Sequence, residues 1–127
     1  MKEIKIIIEK NNDGFWAHST NTDNLISGYG ETVEACKANV LDCIDVLKEE
    51  GMFTYDKFTL KYNFDVESLL ENYKGVLTNA GIERLTGINQ RQMYQYATGM
   101  KKPRAEQRKK IEAGLHKLGQ ELLAIEL

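Results

Sequence analysis

Gln90, Arg91, Gln92, Tyr94 and Gln95 fall in a six-residue stretch that contains no acid, and Lys101, Lys102 and Arg104 follow closely. A glutamine amide can form two hydrogen bonds with the N6/N7 edge of adenine, and an arginine guanidinium can do the same with O6/N7 of guanine. Each such pair discriminates its base by about 1–3 kcal/mol. Cations beside the row would neutralise backbone phosphates, which fix register without reading sequence. The blander reading is a solvated, amide-rich helix in an ordinary bundle, and it gives no reason for the order in which these residues occur.

The elements needed to hold the row flank it. Thr78 offers an N-cap oxygen to a helix ending near Thr86, Gly87 permits a left-handed turn, Ile88 plugs the corner, and Asn89 caps a helix from Gln90 to about Thr98. This is the pattern of a helix-turn-helix. On its second helix Met93, Tyr96 and Ala97 share the inward face, which leaves Gln90, Arg91, Gln92, Tyr94 and Gln95 outside. The free N-terminus of that helix would also donate to phosphate. Upstream, Asp65 caps a short helix carrying Val66, Leu69, Leu70 and Tyr73, closed by Gly75. Downstream, Ile111, Leu115, Leu118, Leu122 and Ile125 repeat at four-three-four-three spacing. The part to Leu118 is expected to cover the bundle; beyond it, the seam either packs on the domain or pairs with a second chain. Gly114 and Gly119 weaken this helix or permit close approach. Because helix-turn-helix proteins read paired half-sites, a homodimer is expected.

The N-terminal half has a different character. Ile4, Ile6 and Ile8 alternate with Lys5, Ile7 and Glu9; Asn11 to Gly14 form a turn; Phe15 and Ala17 alternate with Trp16 and His18, so a hairpin is predicted. Leu25 to Tyr29 offer a short third strand. Val33, Cys36, Val40, Cys43, Ile44 and Leu47 make an amphipathic helix between a Thr32 cap and a Gly51 stop, and Phe58, Leu60 and Tyr62 read as a last strand. The unit is β-β-β-α-β, or the same without the third strand. About 65 residues support a sheet-on-helix core with little stability to spare.

Composition bounds the function. The chain has 127 residues, 42% hydrophobic and 28% charged, which suits one or two small domains and excludes collagen-like or largely disordered classes. Its apolar runs are short of the roughly 18 residues of a membrane span, and its N-terminus has the wrong flanks for a signal peptide, so a cytoplasmic protein is expected, with no membrane partner. Residues 1–66 hold seven Lys/Arg against twelve Asp/Glu, whereas residues 67–127 hold ten against seven. A net charge of −2 therefore conceals a basic module behind an acidic one. Cys36 and Cys43, seven apart on one helix, lie about 10 Å apart, too far to bridge, and read as packing residues. His18 and His116 do not stand at ligand spacing from either thiol, so neither a metal nor another cofactor is expected. Nor is an active site: the strands offer Glu3 and Glu9 but no Asp, the long helix's acids follow its wet face, and His18 has no evident nucleophile.

The stretch from about Thr78 to Leu118, with its turn glycine, Gln-rich second helix and then Gly, basic residues and Pro, resembles the phage-repressor (Cro/repressor) helix-turn-helix. That resemblance implies a phosphate contact for Asn89, base contacts for Gln90, Arg91 and Gln95, with Gln92 and Tyr94 secondary, and backbone or minor-groove contacts for Lys101, Lys102 and Arg104. One position departs from it: Glu83 stands where the family carries an alanine packed against the recognition helix. Over its full length the chain resembles HicB-like antitoxins, chiefly in the Gly-Glu-Thr helix start within "GYGETVEACKANVLDCIDVLKEEG"; "NTDNLISG" replaces the Asp-Leu-Pro-Gly often found before it. This resemblance implies an N-terminal domain like a cut-down ribonuclease H fold that blocks a small basic HicA-like ribonuclease toxin, and a C-terminal domain that represses the operon. An acidic first unit is consistent with a basic partner. The expectation is an α+β chain with a protein-binding domain at 1–64 and a DNA-binding domain at 65–127. The function expected is a sequence-specific repressor of double-stranded operator DNA that acts as an antitoxin. The alternative is a standalone regulator whose first domain binds a small ligand or only dimerises; a nuclease with residual metal chemistry is more remote.

Overall fold

The computed structural model describes residues 1–127 and is mixed α+β, with one four-stranded sheet and five helices. It divides into two compact units, Met1–Ser68 and Leu69–Leu127, so the division falls a few residues beyond the expected 64/65 position.

In the first unit, β1 (Lys2–Asn11) and β2 (Gly14–Ser19) form the predicted hairpin, registered Ile8 against Ala17. The Asn11 side-chain oxygen closes its turn by accepting from the backbone N–H groups of Asp13 and Gly14. Ile4, Ile6 and Ile8 are wholly buried, and Phe15 and Ala17 join them, because alternate residues of a strand share one face. The third strand is present as β3 (Ser27–Gly30), shorter and later than Leu25 to Tyr29; Ile26 is buried but Leu25 lies exposed outside the strand. Then α1 (Val33–Glu49) begins at the Thr32 cap, whose hydroxyl accepts from the Ala35 N–H, and stops at Gly51 in a left-handed conformation (φ 70°). Its apolar stripe covers the sheet with Val33, Cys36, Val40 and Ile44.

The chain returns as β4 (Phe58–Phe64), which pairs in parallel with β1 to give the order β3-β2-β1-β4. A parallel neighbour needs a crossover, and α1 supplies it. The α1 helix approaches β3 so closely that a Cβ on Gly28 would lie 2.9 Å from the Cys36 oxygen, and one on Gly30 2.6 Å from the Ala35 carbonyl carbon. Both cysteines are free. Cys36 is sealed in the core, and burial raises its thiol pKa; burial first, then the neighbouring Cys36, raises that of Tyr62. No three His, Cys, Asp or Glu side chains gather to hold a metal ion. No helix is long and apolar enough to cross a membrane.

A short helix, α2 (Val66–Asn72), spans the division between the units; Asp65 caps it by accepting from the Ser68 N–H. The second unit contains α3 (Asn79–Thr86), α4 (Gln90–Ala97) and α5 (Ala105–Leu123). Leu70, Ile82, Ile88, Met93, Tyr96, Ile111 and Gly114 are its buried residues. Gly114 marks where α5 crosses α3: a Cβ there would meet the Thr86 methyl at 2.9 Å and the Leu85 carbonyl oxygen at 3.2 Å. The α5 seam is graded. Ile111 is buried and Leu115 and Leu118 are half-buried, whereas Leu122 and Ile125 are more than half exposed, and Leu123 is 89% exposed.

Candidate nucleic-acid interface

The α3–α4 corner forms by local chemistry. The Thr78 hydroxyl accepts from the Gly81 N–H at 2.9 Å and starts α3. Gly87, at φ 77°, ends it in the left-handed region, its N–H returning to the Glu83 carbonyl at 2.7 Å. Ile88 enters the interior, 4% exposed, and Asn89 caps α4 through its side-chain oxygen and the Arg91 N–H at 2.8 Å. The Thr86 hydroxyl ties the corner on both sides, donating to the Ile82 carbonyl and accepting from the Ile88 N–H. Met93 and Tyr96 anchor α4 inward.

The expected readers separate into two groups. Gln90, Arg91 and Tyr94 are exposed, Gln95 is half-buried, and with Asn89 they line one open hollow of about 840 Å³. Gln92 does not belong with them. Its amide donates to the Tyr96 hydroxyl at 2.8 Å, and it lines a separate hollow of about 570 Å³ with Lys101, Lys102, Arg104 and Glu106. Helical rotation of about 100° per residue sets Gln92 some 200° round from Gln90, beside Tyr96 one turn later. The basic loop therefore shares its hollow with Gln92 rather than with Gln90, Arg91, Tyr94 and Gln95. Lys101, Lys102 and Arg104 are exposed, and the loop is pinned by the Lys101 N–H on the Gln95 carbonyl at 3.2 Å.

Sequence reasoning missed three residues of the first hollow: Asn79, Glu83 and Met100. Glu83 matters most. One carboxylate oxygen accepts from the Gln90 backbone N–H at 3.0 Å and the other from the Gln90 side-chain amide at 3.4 Å. The acid-free row thus has an acid beside it, contributed by α3. The N–H groups of Gln90 and Arg91, expected to serve phosphate, already have acceptors in Glu83 and Asn89. The seven-residue separation of Glu83 and Gln90 across a turn glycine was visible in sequence, but their contact depends on the angle at which the helices cross. In place of the alanine of the phage-repressor pattern, the longer Glu83 joins the two helices by hydrogen bonds.

This surface can do two things: present amide and guanidinium groups to hydrogen-bonding partners, and offer cations to a polyanion. Arg91, Lys101, Lys102 and Arg104 take part in no ion pair. Compared with known proteins, the chain matches no family model, no curated protein and no solved structure.

Proposed function

We propose that the chain is a sequence-specific double-stranded DNA-binding repressor, with α3, Gly87 and α4 as its helix-turn-helix. The observation that carries this reading is α4 itself: a capped helix, held by Met93 and Tyr96, that exposes Gln90, Arg91 and Tyr94 and is followed by a loop exposing three unpaired cations next to Gln92. Gln90, Arg91 and Gln95 read base edges, Tyr94 contacts the groove wall, and Lys101, Lys102 and Arg104 take phosphates. Gln92 is a loop-side contact, and Asn89 caps α4 while its amide nitrogen stays available to phosphate. Two copies bind paired half-sites, and the exposed end of the α5 seam supports their association.

The first unit is proposed to bind a protein, a small basic ribonuclease toxin of HicA type, which makes the whole an autoregulating antitoxin of the cytoplasm. Its acidic balance supports a basic partner. Its single-layer sheet supports a protein partner: the face opposite α1 carries Trp16, 49% exposed, packed against Tyr29 with ring centroids 4.6 Å apart. Aromatic side chains of this kind commonly anchor protein interfaces.

Gel-shift titration on the DNA upstream of its own gene tests the first proposal. Wild-type chain should shift that duplex, and Arg91→Ala should weaken the shift by about 1–3 kcal/mol, the worth of a bidentate arginine–guanine contact. Equal binding by both chains would remove the assigned readers. Co-purification with the product of a short basic reading frame beside the gene tests the second.

A further inference from the structure

Glu83 and Gln90 form a unit that the DNA-binding reading does not by itself require. A glutamine side chain on a helix surface is mobile, and its amide can turn either way, presenting oxygen or nitrogen to a given point on a base edge. In this chain that freedom is restricted. The Glu83 carboxylate accepts from both the backbone N–H and the side-chain amide of Gln90, at 3.0 and 3.4 Å. A carboxylate is an acceptor only. It therefore holds the amide nitrogen toward itself and repels the amide oxygen, so the reversed orientation is disfavoured.

From these contacts we infer that Glu83 is a specificity-determining positioning residue of the DNA interface: it orients Gln90 so that the amide presents one order of donor and acceptor, the order that reads adenine. With one amide hydrogen engaged by Glu83, Gln90 retains a second N–H and its carbonyl oxygen. That pair matches the N7 acceptor and N6 donor of adenine in the major groove. Pre-organisation also reduces the side-chain entropy lost when DNA binds. Glu83 has a second effect through its charge. It occupies the N–H that begins α4 and sets a negative group where a phosphate would otherwise approach, so it opposes binding that is not matched by a base contact. The inference rests on the DNA-binding reading, and the two fail in different ways.

The test is selection of bound duplexes from a randomised library by the full-length chain and by Glu83→Gln, Glu83→Ala and Gln90→Ala, followed by titration of the selected duplex and its single-base variants. An amide at position 83 has one acceptor oxygen instead of two and no charge, so Glu83→Gln keeps the shape and gives up part of the clamp. Wild-type chain should prefer adenine at one position of each half-site. Gln90→Ala should lose that preference, and Glu83→Ala should lose it by roughly fivefold or more, the lower bound for a bidentate amide contact. Glu83→Gln should fall between, and both Glu83 variants should bind unrelated duplexes at least as tightly as wild type. The Glu83→Ala/Gln90→Ala double variant should be no less selective at that position than Gln90→Ala alone, since Glu83 acts through Gln90. A general loss of folding would weaken binding to every duplex and fails to produce this pattern. If the wild type selects a site and Glu83→Gln and Glu83→Ala select the same site with equal stringency, the positioning role is overturned while DNA binding stands. If the wild type binds no duplex, both readings fall together.

Discussion

Replacing Lys101 and Lys102 together by alanine tests how this surface meets a polyanion, and its effect can be worked out before any operator is known. Four exposed cations flank α4: Arg91 at its start, and Lys101, Lys102 and Arg104 on the loop that follows. None is spent on an ion pair within the chain. Glu106 lines the same hollow as the loop cations and bonds to none of them. With Arg91 assigned to base edges, the three loop cations are free to neutralise one phosphate each and release its counterion.

With three phosphates engaged per chain, log affinity should fall against log salt with a slope of about −2.7; with one, the slope should be about −0.9. Between 50 and 200 mM salt that is a loss of about 40-fold for the wild-type unit and about 3.5-fold for Lys101→Ala/Lys102→Ala. A dimer engaging two half-sites doubles both slopes but leaves their ratio. Fluorescence anisotropy on a short labelled duplex of arbitrary sequence reads this term, because counterion release does not depend on base identity. Parallel salt dependences for the two chains would show that the loop does not touch the backbone, and the proposed docking would then be wrong in orientation.

Further consequences follow from the packing. Gly30→Ala must push α1 away from β3, because the added carbon would sit 2.6 Å from the Ala35 carbonyl carbon and closer still to the Cys36 nitrogen. Urea unfolding should show a loss of about 1–3 kcal/mol or more, and an unaltered midpoint would mean that the helix yields freely. Cys36 and Tyr62 both hold their protons more tightly when folded. Their contribution to stability is complete below the unfolded-state pKa of each and disappears as pH rises through the folded value, so the protein should weaken above about pH 9, and Cys36→Ala should lose less stability between neutral and alkaline pH than wild type. A thiol reagent at neutral pH should label half-buried Cys43 well before buried Cys36; equal rates would contradict the sealed core. If the end of α5 joins two copies, Leu122→Glu should sediment as a monomer at concentrations where the wild type is dimeric, and a wild-type chain that is monomeric throughout would refute that interface.

Features set by neighbours in sequence were legible before the structure. Thr78, Gly87 and Asn89 fix the α3–α4 corner through bonds spanning two to four residues, and the Thr32 cap and Gly51 stop bound α1 in the same way. Alternation of Ile4, Ile6 and Ile8 fixed which face of β1 is buried, since a strand has only two faces. The parallel pairing of β1 with β4 was not legible. It joins residues more than fifty positions apart, and every half-buried residue of β4 suits an edge in either direction. Leu25 misled for a related reason: an apolar residue signals a strand only where an inward position awaits it, and here Ile26 takes that position.

The candidate site divides along the same line. That α4 would expose amides followed from its period, and the same period sets Gln92 and Gln90 about 160° apart, at opposite flanks of the exposed arc, with Gln92 nearest Tyr96. Treating everything outside the Met93 and Tyr96 stripe as one face was the error, because a helix of eight residues has flanks as well as a front. Gln92 stands on the flank next to Tyr96 and bonds to its hydroxyl, so its amide is directed along the helix toward the basic loop. Glu83 was beyond the reach of any period. Its carboxylate meets Gln90 only because Gly87 turns α4 back toward α3, and a residue that breaks the phage-repressor pattern in sequence thereby supplies a hydrogen-bonded link between the two helices. What an interface reads thus depends on two scales at once: the helix period chooses which side chains are outside, and contacts across the turn decide which way those side chains point.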